Sequence, residues 1–283
     1  GGGGGIPQNV GGTAVVPGTV TTVAGNGAAG TADGVGAAAR FNEPLGVCLD
    51  GAGGLYVADF SNHAIRRLDI ATRRVTTVAG VIGSSGSTVG ATPLESKFYR
   101  PYGVEADGAG NVYVADSYNH AVRMLSGAWV AGSTSGASGS TDAAVGTNAA
   151  FYYPASVRAD LASGLLYVAD TYNYQVRTIT IAGSHTVATL VTFSTYVRDI
   201  ALNAAALIMY VAVGSSIYVV TYAGVSTLLA GAATSSGYVD GTGTVARFNV
   251  ITGLALDART GVLHATDYNN HRIRQVTING GVT

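Results

Sequence analysis

One short sequence pattern recurs along this chain and constrains its fold more than any other feature. The pattern is clearest at Leu55–Arg66, which reads LYVADFSNHAIR. Its copies are Asn111–Arg123 (NVYVADSYNHAVR), Leu165–Arg177 (LLYVADTYNYQVR) and Val262–Arg274 (VLHATDYNNHRIR), with a degraded form at Ile208–Val219 (IMYVAVGSSIYV). Self-similarity at a period of roughly 50 residues is typical of repeat architectures, so we predict a single array of similar units.

Each repeat contains four short segments with the alternation that is typical of β-strands. In the first repeat they are Pro44–Asp50, Gly54–Asp59, Ala64–Ile70 and Arg74–Gly80. The connections between them are short enough to join antiparallel neighbours, so each repeat is predicted to be a four-stranded meander. Long loops rich in Gly, Ser and Thr occur only between repeats, at Val81–Lys97, Ser133–Ala150 and Ala232–Arg247.

A single meander buries little surface, and a β-propeller solves this by packing such sheets face to face around an axis. The predicted first strands are Pro44–Asp50, Pro101–Asp107, Pro154–Asp160, Tyr196–Asn203 and Thr252–Asp257. We therefore predict an all-β fold, a five-bladed propeller of four-stranded antiparallel blades, with a six-bladed ring as the alternative.

The two ends of the sequence indicate how such a ring could close. Residues 1–18 are rich in Gly, a composition typical of a flexible tether, which leaves residues 19–283 as the propeller domain. Thr19–Gly25 (TVTTVAG) matches the fourth strand Arg74–Gly80 (RVTTVAG), whereas the fifth repeat contains only part of a fourth strand. We predict that this N-terminal strand completes the last blade and closes the ring, or else closes the ring of a neighbouring molecule.

The repeated residues resemble those of the NHL-repeat family of β-propellers. The resemblance covers about residues 19–283 and rests on the YVAD strands, on Asn-His pairs such as Asn62-His63, and on linkers such as Asp33-Gly34-Val35-Gly36 followed by Ala39-Arg40-Phe41. It implies a propeller, often of six blades in this family. Some of these propellers are zinc-dependent lyases that act on peptides.

Lyase chemistry would require histidines that converge on one metal ion together with an acid–base partner. His63, His120 and His271 instead occupy equivalent positions in different repeats, and Tyr174 takes that position in the third. We therefore predict no catalytic residue, no metal site and no cofactor.

An aspartate and an arginine flank the turn between the second and third strands of each well-preserved repeat. A structural ion pair is the simplest interpretation, because the degraded fourth copy has lost both partners, with Val213 and Val219 in their places. The predicted structural pairs are Asp59 with Arg66, Asp116 with Arg123, Asp170 with Arg177, and Asp267 with Arg274.

Composition argues against two classes of partner. Charged residues make up 11% of the chain and the net charge is −1, so the clustered Lys and Arg of a nucleic-acid surface are missing. Ile200–Val239 contains no charged residue, but Asn203 and Gly224 interrupt it and β-branched residues fill it. We therefore predict no membrane span.

Two surfaces are candidates for binding. The second–third turns and the ends of the long loops share one rim of the propeller, and their aromatic residues form the first candidate. These are Phe60, Tyr99, Tyr118, Tyr152, Tyr153, Tyr172 and Tyr268. The uncharged fourth repeat predicts an apolar outer face, and this possible subunit interface contains Tyr210, Ile217, Tyr218 and Tyr222.

Together these features favour a non-enzymatic structural or protein-interaction module in an extracellular or cell-surface assembly. The expected partner is a protein, through self-association or other subunits. A receptor propeller for a peptide or glycan is the alternative, and a peptide-processing lyase is less favoured.

Overall fold

A computed structural model describes residues 21–278 and 281–282 and arranges them in five antiparallel sheets. Blade 1 contains β1 (Gly34–Val35), β2 (Pro44–Leu49), β3 (Gly54–Asp59), β4 (Ala64–Asp69) and β5 (Arg74–Ala79), in the order β1-β5-β4-β3-β2. Blade 2 contains β6 (Gly103–Ala106), β7 (Val112–Asp116), β8 (Ala121–Met124) and β9 (Trp129–Ala131). In both blades the first strand of the meander lies at the propeller axis, and the short β1 from the preceding linker pairs with the outer edge of blade 1.

The remaining three sheets repeat this arrangement. Blade 3 contains β10 (Pro154–Asp160), β11 (Leu165–Asp170), β12 (Gln175–Thr180) and β13 (Val187–Thr192). Blade 4 contains β14 (Val197–Asn203), β15 (Ile208–Val213), β16 (Ser216–Thr221) and β17 (Ser226–Gly231). Blade 5 contains β18 (Gly241–Thr242), β19 (Ile251–Asp257), β20 (Val262–Asp267), β21 (Arg272–Thr277) and β22 (Gly281–Val282), in the order β18-β22-β21-β20-β19.

Eight single turns of 3-10 helix complete the described chain, at Gly36–Ala38, Phe60–Asn62, Ser117–Asn119, Gly146–Asn148, Thr171–Asn173, Ala204–Ala206, Gly243–Val245 and Tyr268–Asn270. None of them has the length and apolar character that a membrane-crossing helix needs. The predicted all-β fold with five four-stranded blades is thus confirmed.

The hydrophobic core lies between neighbouring blades. At the junction of blades 1 and 2, Ile65 and Ala79 pack against Val104 and Val114, and Phe98 from the linker fills the space between the sheets. Equivalent clusters lie at the next three junctions. Because a central blade is covered on both faces, its strands are apolar on both sides, which explains why the strand segments carry so few charges.

The predicted role of Thr19–Gly25 in closing the ring is wrong. Residues 21–25 form no strand, residues 19 and 20 lie outside the described residues together with the rest of the predicted tether, and the outer position of blade 5 is taken by β22. Gly25 instead lies beside the linker of blade 1, where its N–H donates to the Gly36 carbonyl at 3.0 Å. The sequence match assigned this segment to a blade that already has a fourth strand.

The five blades follow one another around the axis, and neighbouring blades are in contact at four junctions. The axial strands approach one another closely from β2 to β6, β10, β14 and β19, and the Gly46 N–H donates to the Tyr102 carbonyl across the first junction at 2.9 Å. Within the described part of the chain, β19 and β2 do not make this approach. An opening therefore separates blade 5 from blade 1.

Candidate binding surface

The second–third turns are built in the same way in four blades. In blade 1 the 3-10 turn Phe60–Asn62 ends at His63, which has left-handed backbone with φ of 58°. The equivalent residues, His120, Tyr174 and His271, have φ of 55°, 60° and 54°. This left-handed backbone turns the chain into the third strand. The residue directly after the aspartate, such as Phe60, then lies on the rim of the propeller.

A buried aspartate attaches each of these turns to the linker that enters its blade. Asp59 accepts hydrogen bonds from the Asn42 N–H at 2.8 Å, from Asn62 Nδ2 at 2.8 Å and from Arg66 Nη1 at 2.7 Å. Arg66 also donates to the linker carbonyls of Arg40 and Ala32, both at 2.9 Å. We call this set of contacts the linker clamp.

The clamp recurs in blades 2, 3 and 5, and the structure places each of the four predicted Asp–Arg pairs in contact. Asp116 and Asp170 accept hydrogen bonds from the Tyr99 and Tyr152 N–H groups, each at 2.7 Å, so the clamp sets the position of two rim tyrosines. Burial raises the pKa of Asp116 and Asp170 to about 6, which leaves both carboxylates ionised beside their arginines at neutral pH.

Above the clamps, aromatic rings contact one another in a continuous series across blades 1 to 4. Ring centroids are 5.9 Å apart from Phe60 to Tyr118, 4.7 Å from Tyr118 to Tyr153, 5.1 Å from Tyr153 to Tyr172, and 4.9 Å from Tyr172 to Tyr196. We call these five residues the aromatic arc. The geometries are edge-on or tilted, as aromatic pairs prefer.

Further aromatic residues flank the arc. Tyr99 packs on Tyr118, Tyr152 packs on Tyr172, and Tyr102 packs on Phe60. Tyr99 is 37% exposed, Tyr152 36% and Tyr172 45%, so the surface is open to a partner although its rings support one another.

Six of the seven predicted rim aromatics lie in this surface, namely Phe60, Tyr99, Tyr118, Tyr152, Tyr153 and Tyr172. Tyr268 in blade 5 does not join them; it is 64% exposed and has no described ring partner. The prediction missed Tyr196 and Tyr102. Tyr196 precedes the first strand of its blade just as Tyr153 does, so alignment of the repeats could have found it.

Two arginines give this surface positive charge. Arg100 lies over the rings of Phe60 and Tyr118, at 5.3 Å and 5.0 Å, and Arg198 lies over the ring of Tyr196 at 5.5 Å. Among the described residues, neither guanidinium forms an ion pair. Cations over aromatic faces, without a carboxylate partner, can attract an acidic group of a ligand.

Two histidines support the arc from beneath. His63 Nδ1 accepts a hydrogen bond from the Arg100 N–H, and His120 Nδ1 accepts one from the Tyr153 N–H, both at 3.2 Å. Burial lowers the pKa of both imidazoles, with the charge of Arg100 adding to the effect at His63. Within the described residues, no group of three or more His, Cys, Asp or Glu side chains is arranged to hold a metal ion.

Sequence inspection also missed a group of charged side chains at the axis. Arg158 Nη2 donates to Asp199 Oδ1 at 2.8 Å and its Nη1 lies 3.8 Å from Glu105, so blades 2, 3 and 4 are linked. Asp199 also accepts the Leu254 N–H of blade 5 at 2.8 Å, and burial raises the pKa of Glu105. These residues have their polar atoms paired within the propeller and serve its cohesion.

The predicted interface on blade 4 is wrong for its central residues. Tyr210 is 2% exposed and Ile217 0%, because both pack into the core between blades 4 and 5. Tyr218 contacts Phe193, and Tyr222 contacts Tyr167 of blade 3. The uncharged composition reflects a blade covered on both faces rather than an outer contact surface.

The fold and its repeated clamps define this chain as a β-propeller built from one sequence repeat. Residues 41–68, 98–124 and 151–179 match the family model for the NHL repeat. Three of the five blades therefore contain NHL repeats, as the sequence resemblance predicted.

Three curated relatives share about a third of the chain. NHL repeat-containing protein 2 is 41% identical in Bos taurus and 39% in Homo sapiens, each over 98 residues, which are 34% of this chain and 13% of the relative. Protein SUPPRESSOR OF QUENCHING 1, chloroplastic, of Arabidopsis thaliana is 36% identical over 96 residues, 34% of this chain and 9% of that protein. The match thus spans a small part of each relative.

Solved structures share the fold at low identity. A structural genomics protein of unknown function from Bacteroides thetaiotaomicron matches with a TM-score of 0.67 and 18% identity, over 93% of this chain and 62% of that one. A chain from a nidogen/laminin complex matches with a TM-score of 0.60 and 13% identity, over 84% and 76%. An auxiliary nutrient binding protein from B. thetaiotaomicron matches with a TM-score of 0.63 and 14% identity, over 86% and 57%.

Proposed function

We propose that this chain is a non-enzymatic protein-interaction module that contacts its partner through the aromatic arc, within an extracellular or cell-surface assembly. The observation that carries the proposal is the unbroken series of ring contacts from Phe60 to Tyr196. Tyrosines bury a large area on binding and lose little side-chain entropy, and here each ring is held by its neighbours before a partner arrives. Such a preorganised surface reduces the cost of association.

The charge of the arc narrows the kind of partner. Arg100 and Arg198 extend the surface with two cations. Glu43, whose negative charge acts on Arg100 without forming an ion pair among the described residues, accepts a hydrogen bond from Ser61. A partner segment that combines apolar or aromatic side chains with acidic residues would complement both features. We therefore expect an acidic peptide segment to be the preferred ligand.

The similar proteins are consistent with a binding role. One similar chain comes from a nidogen/laminin complex and another is titled an auxiliary nutrient binding protein, and propellers of this kind commonly present loops to a partner. Both likenesses are at low identity and support the fold alone. The proposal therefore rests on the arc.

Selection from a random peptide library, with a glycan array in parallel, tests the proposal. Peptides selected on the wild-type chain should be rich in acidic and aromatic residues, and Tyr172→Ala should weaken their binding by about tenfold or more, as loss of an aromatic contact does. Tyr268→Ala is the matched control, because Tyr268 is exposed outside the arc. Ligands that are equally insensitive to both substitutions would contradict the proposal, and binding to glycans alone would favour the receptor alternative.

Accessibility tests the proposed location separately. An antibody against the folded chain should label intact source cells without permeabilisation if the assembly is at the surface. Labelling only after permeabilisation would contradict that part of the proposal.

A further inference from the structure

The outer edges of two blades are covered by a strand from the linker that enters the blade. In blade 1, β1 pairs with β5, and the Thr77 N–H of β5 donates to Asp33 Oδ2 of the linker at 3.0 Å. In blade 5, β18 pairs with β22 in the same antiparallel manner. The edge of a sheet exposes backbone hydrogen-bonding groups that can pair with another chain, so this covering protects a blade from association.

Blades 2 and 3 are protected in related ways. In blade 3, the Val187 N–H donates to the carbonyl of the linker residue Ala143 at 2.8 Å, and the Ala143 N–H donates to the Val187 carbonyl at 3.2 Å. The Thr189 N–H donates to Asp142 Oδ2 of the same linker at 3.0 Å. In blade 2 the outer strand β9 is only three residues long. A very short edge strand offers little for another chain to pair with.

The outer strand of blade 4, β17, has neither form of protection. It is six residues long, and the linker that enters the blade, residues 193–196, contributes no strand. Leu228 pairs with Tyr218 as Thr189 pairs with Arg177, so Ser226 and Leu228 correspond to the covered residues of blade 3. Across residues 21–278 and 281–282, no linker strand or aspartate pairs with the outward-facing backbone of Ser226 and Leu228.

The charge of this edge indicates what kind of strand could pair with it. In blades 1 and 3 the covering segment contributes an aspartate that pairs with the clamp arginine, at 2.7 Å for Asp33 with Arg66 and at 2.6 Å for Asp142 with Arg177. Blade 4 has Tyr218 at the arginine position, and β17 contains no charged residue. An uncharged strand is therefore the complement of this edge, and β17 of a second copy is such a strand.

The pattern of side chains along the edge is also complementary to itself. Val225, directly before β17, is 63% exposed, and Leu229 is half-buried. Alternate residues of a strand share one face, so Val225, Thr227 and Leu229 lie on the same side of the edge. When two copies are antiparallel and centred on Thr227, Val225 of each lies opposite Leu229 of the other. Ser226 of each copy then lies opposite Leu228 of the other, where the two backbones exchange hydrogen bonds.

We propose that two copies of this chain associate through β17, in antiparallel orientation about a two-fold axis at Thr227. The pairing joins two four-stranded blades into one eight-stranded sheet and covers both free edges at once. The contact is short, so the dimer is weak and reversible, as small interfaces are. It uses the edge of blade 4, whose two faces are covered by neighbouring blades, and the aromatic arc takes no part in it.

Sedimentation equilibrium at rising protein concentration tests the association. Between about 1 μM and about 1 mM the mean molar mass should rise from that of a monomer toward that of a dimer, as a dissociation constant of about 100 μM requires. A chain that stays monomeric throughout would overturn the proposal. So would a mass that continues to rise beyond the dimer, because two-fold pairing of one edge closes the assembly.

Ser226→Pro tests whether the association uses the outward-facing backbone of β17. Proline removes this N–H and is tolerated in an edge strand whose N–H faces solvent, so we expect the dimer to be lost and the unfolding temperature to be retained. Leu207→Lys is the matched control, because Leu207 is 60% exposed in the first–second turn of the same blade. It should leave the dissociation constant within about twofold of the wild-type value. Loss of the dimer in both variants or in neither would contradict the proposal.

A charge exchange at Thr227 tests the register. Thr227→Lys and Thr227→Glu each place two like charges opposite one another across the two-fold axis, so each should weaken association by about fivefold or more. An equimolar mixture of the two should associate more tightly than either variant alone, which a misfolded variant would not do. If the mixture associates no better than its components, the two copies of β17 do not lie opposite each other and the proposal is wrong.

The association and the proposed function can fail separately. Tyr172→Ala, which removes a ring of the aromatic arc, should leave the dissociation constant of the dimer unchanged. A dimer that is lost in Tyr172→Ala and retained in Ser226→Pro would place the contact between copies in the arc, and would overturn the pairing through β17.

Discussion

The turn between the second and third strands occupies the same place in blades 3 and 4, but the buried side chains beneath it are charged in blade 3 and uncharged in blade 4. In blade 3, Asp170 and Arg177 form a buried ion pair at 3.0 Å beneath a 3-10 turn. In blade 4, Val213 takes the place of the aspartate, but the predicted replacement of the arginine by Val219 is wrong: Tyr218 pairs with Val211 as Arg177 pairs with Val168. The strands β15 and β16 are joined directly through Gly214 and Ser215. Both hairpins close, so the ion pair is not needed to close a hairpin.

The presence of the clamp depends on the length of the linker that enters each of the two blades. Blade 3 is entered by a long linker, and Arg177 donates to its Ala150 and Thr141 carbonyls at 3.0 Å and 2.9 Å and pairs with Asp142 at 2.6 Å. The linker that enters blade 4 consists of residues 193–196 alone, so there is little chain for a clamp to hold in place. The clamp therefore fixes long linkers, and through them the tyrosines of the arc. Blade 4 loses the clamp because it has no long linker, which is a structural reason and not a sign of function.

The largest expected effect is removal of the clamp arginine. Arg177→Ala leaves the Asp170 carboxylate buried without its charge partner and frees two linker carbonyls, so we expect a loss of about 3–5 kcal/mol in the free energy of unfolding. Urea unfolding measures it. Asp170→Val combined with Arg177→Val removes both charges of the pair and should cost less than Arg177→Ala alone, because no charge of this pair stays buried. A double variant that is less stable than the single one would show that the pair itself, and not the stranded charge, dominates.

A smaller loss of stability is expected from removal of Asn173, whose uncharged side chain connects the second–third turn of blade 3 to the linker. Asn173 Nδ2 donates to Asp170 at 2.8 Å and also to the Gly139 carbonyl, so Asn173→Ala should cost about 1–2 kcal/mol in the free energy of unfolding. Asn269→Ala is the matched control, since Asn269 lies in the corresponding turn of blade 5 and its side chain makes one exposed hydrogen bond, to Asn249. We expect it to change stability by less than about 0.5 kcal/mol. Equal losses would mean that the linker contact contributes nothing.

The repeat predicted the blades because a period in sequence becomes a period in space when each unit buries its faces only against its neighbours. The Asp–Arg pairs were predictable for a local reason, since both residues flank one short turn. The arc was predicted only in part: the position of Tyr153 is visible in the sequence, but the contact of Arg100 with the Phe60 ring of blade 1 depends on how the blades turn about the axis.

Two errors have a common cause. A strand pattern identifies what kind of strand Thr19–Gly25 resembles, but not which sheet lies beside it, and the uncharged stretch around Ile217 does not reveal which of its faces is covered. Both answers depend on contacts between distant segments, which local periodicity does not encode.

The smallest expected effect concerns His63 and His120. They end the clamped turns of blades 1 and 2 at the position that Tyr174 occupies in blade 3. Burial lowers the pKa of His63 and His120, and each neutral ring accepts a backbone N–H through Nδ1. A histidine whose pKa is lower in the folded than in the unfolded state stabilises the fold above the unfolded value of about 6.5, and this contribution is lost as the pH falls through the folded value. Titration of the imidazole C–H resonances by NMR should therefore give both residues pKa values below those of a histidine in a model peptide. Because the Tyr153 N–H donates to His120 Nδ1, protonation of His120 should also shift the Tyr153 amide resonance. The amide of Tyr196, whose ring packs on Tyr174 where the other blades have a histidine, should stay in place. Simultaneous movement of both amides would show that the arc responds to pH as one unit and that the blade 4 boundary does not isolate it.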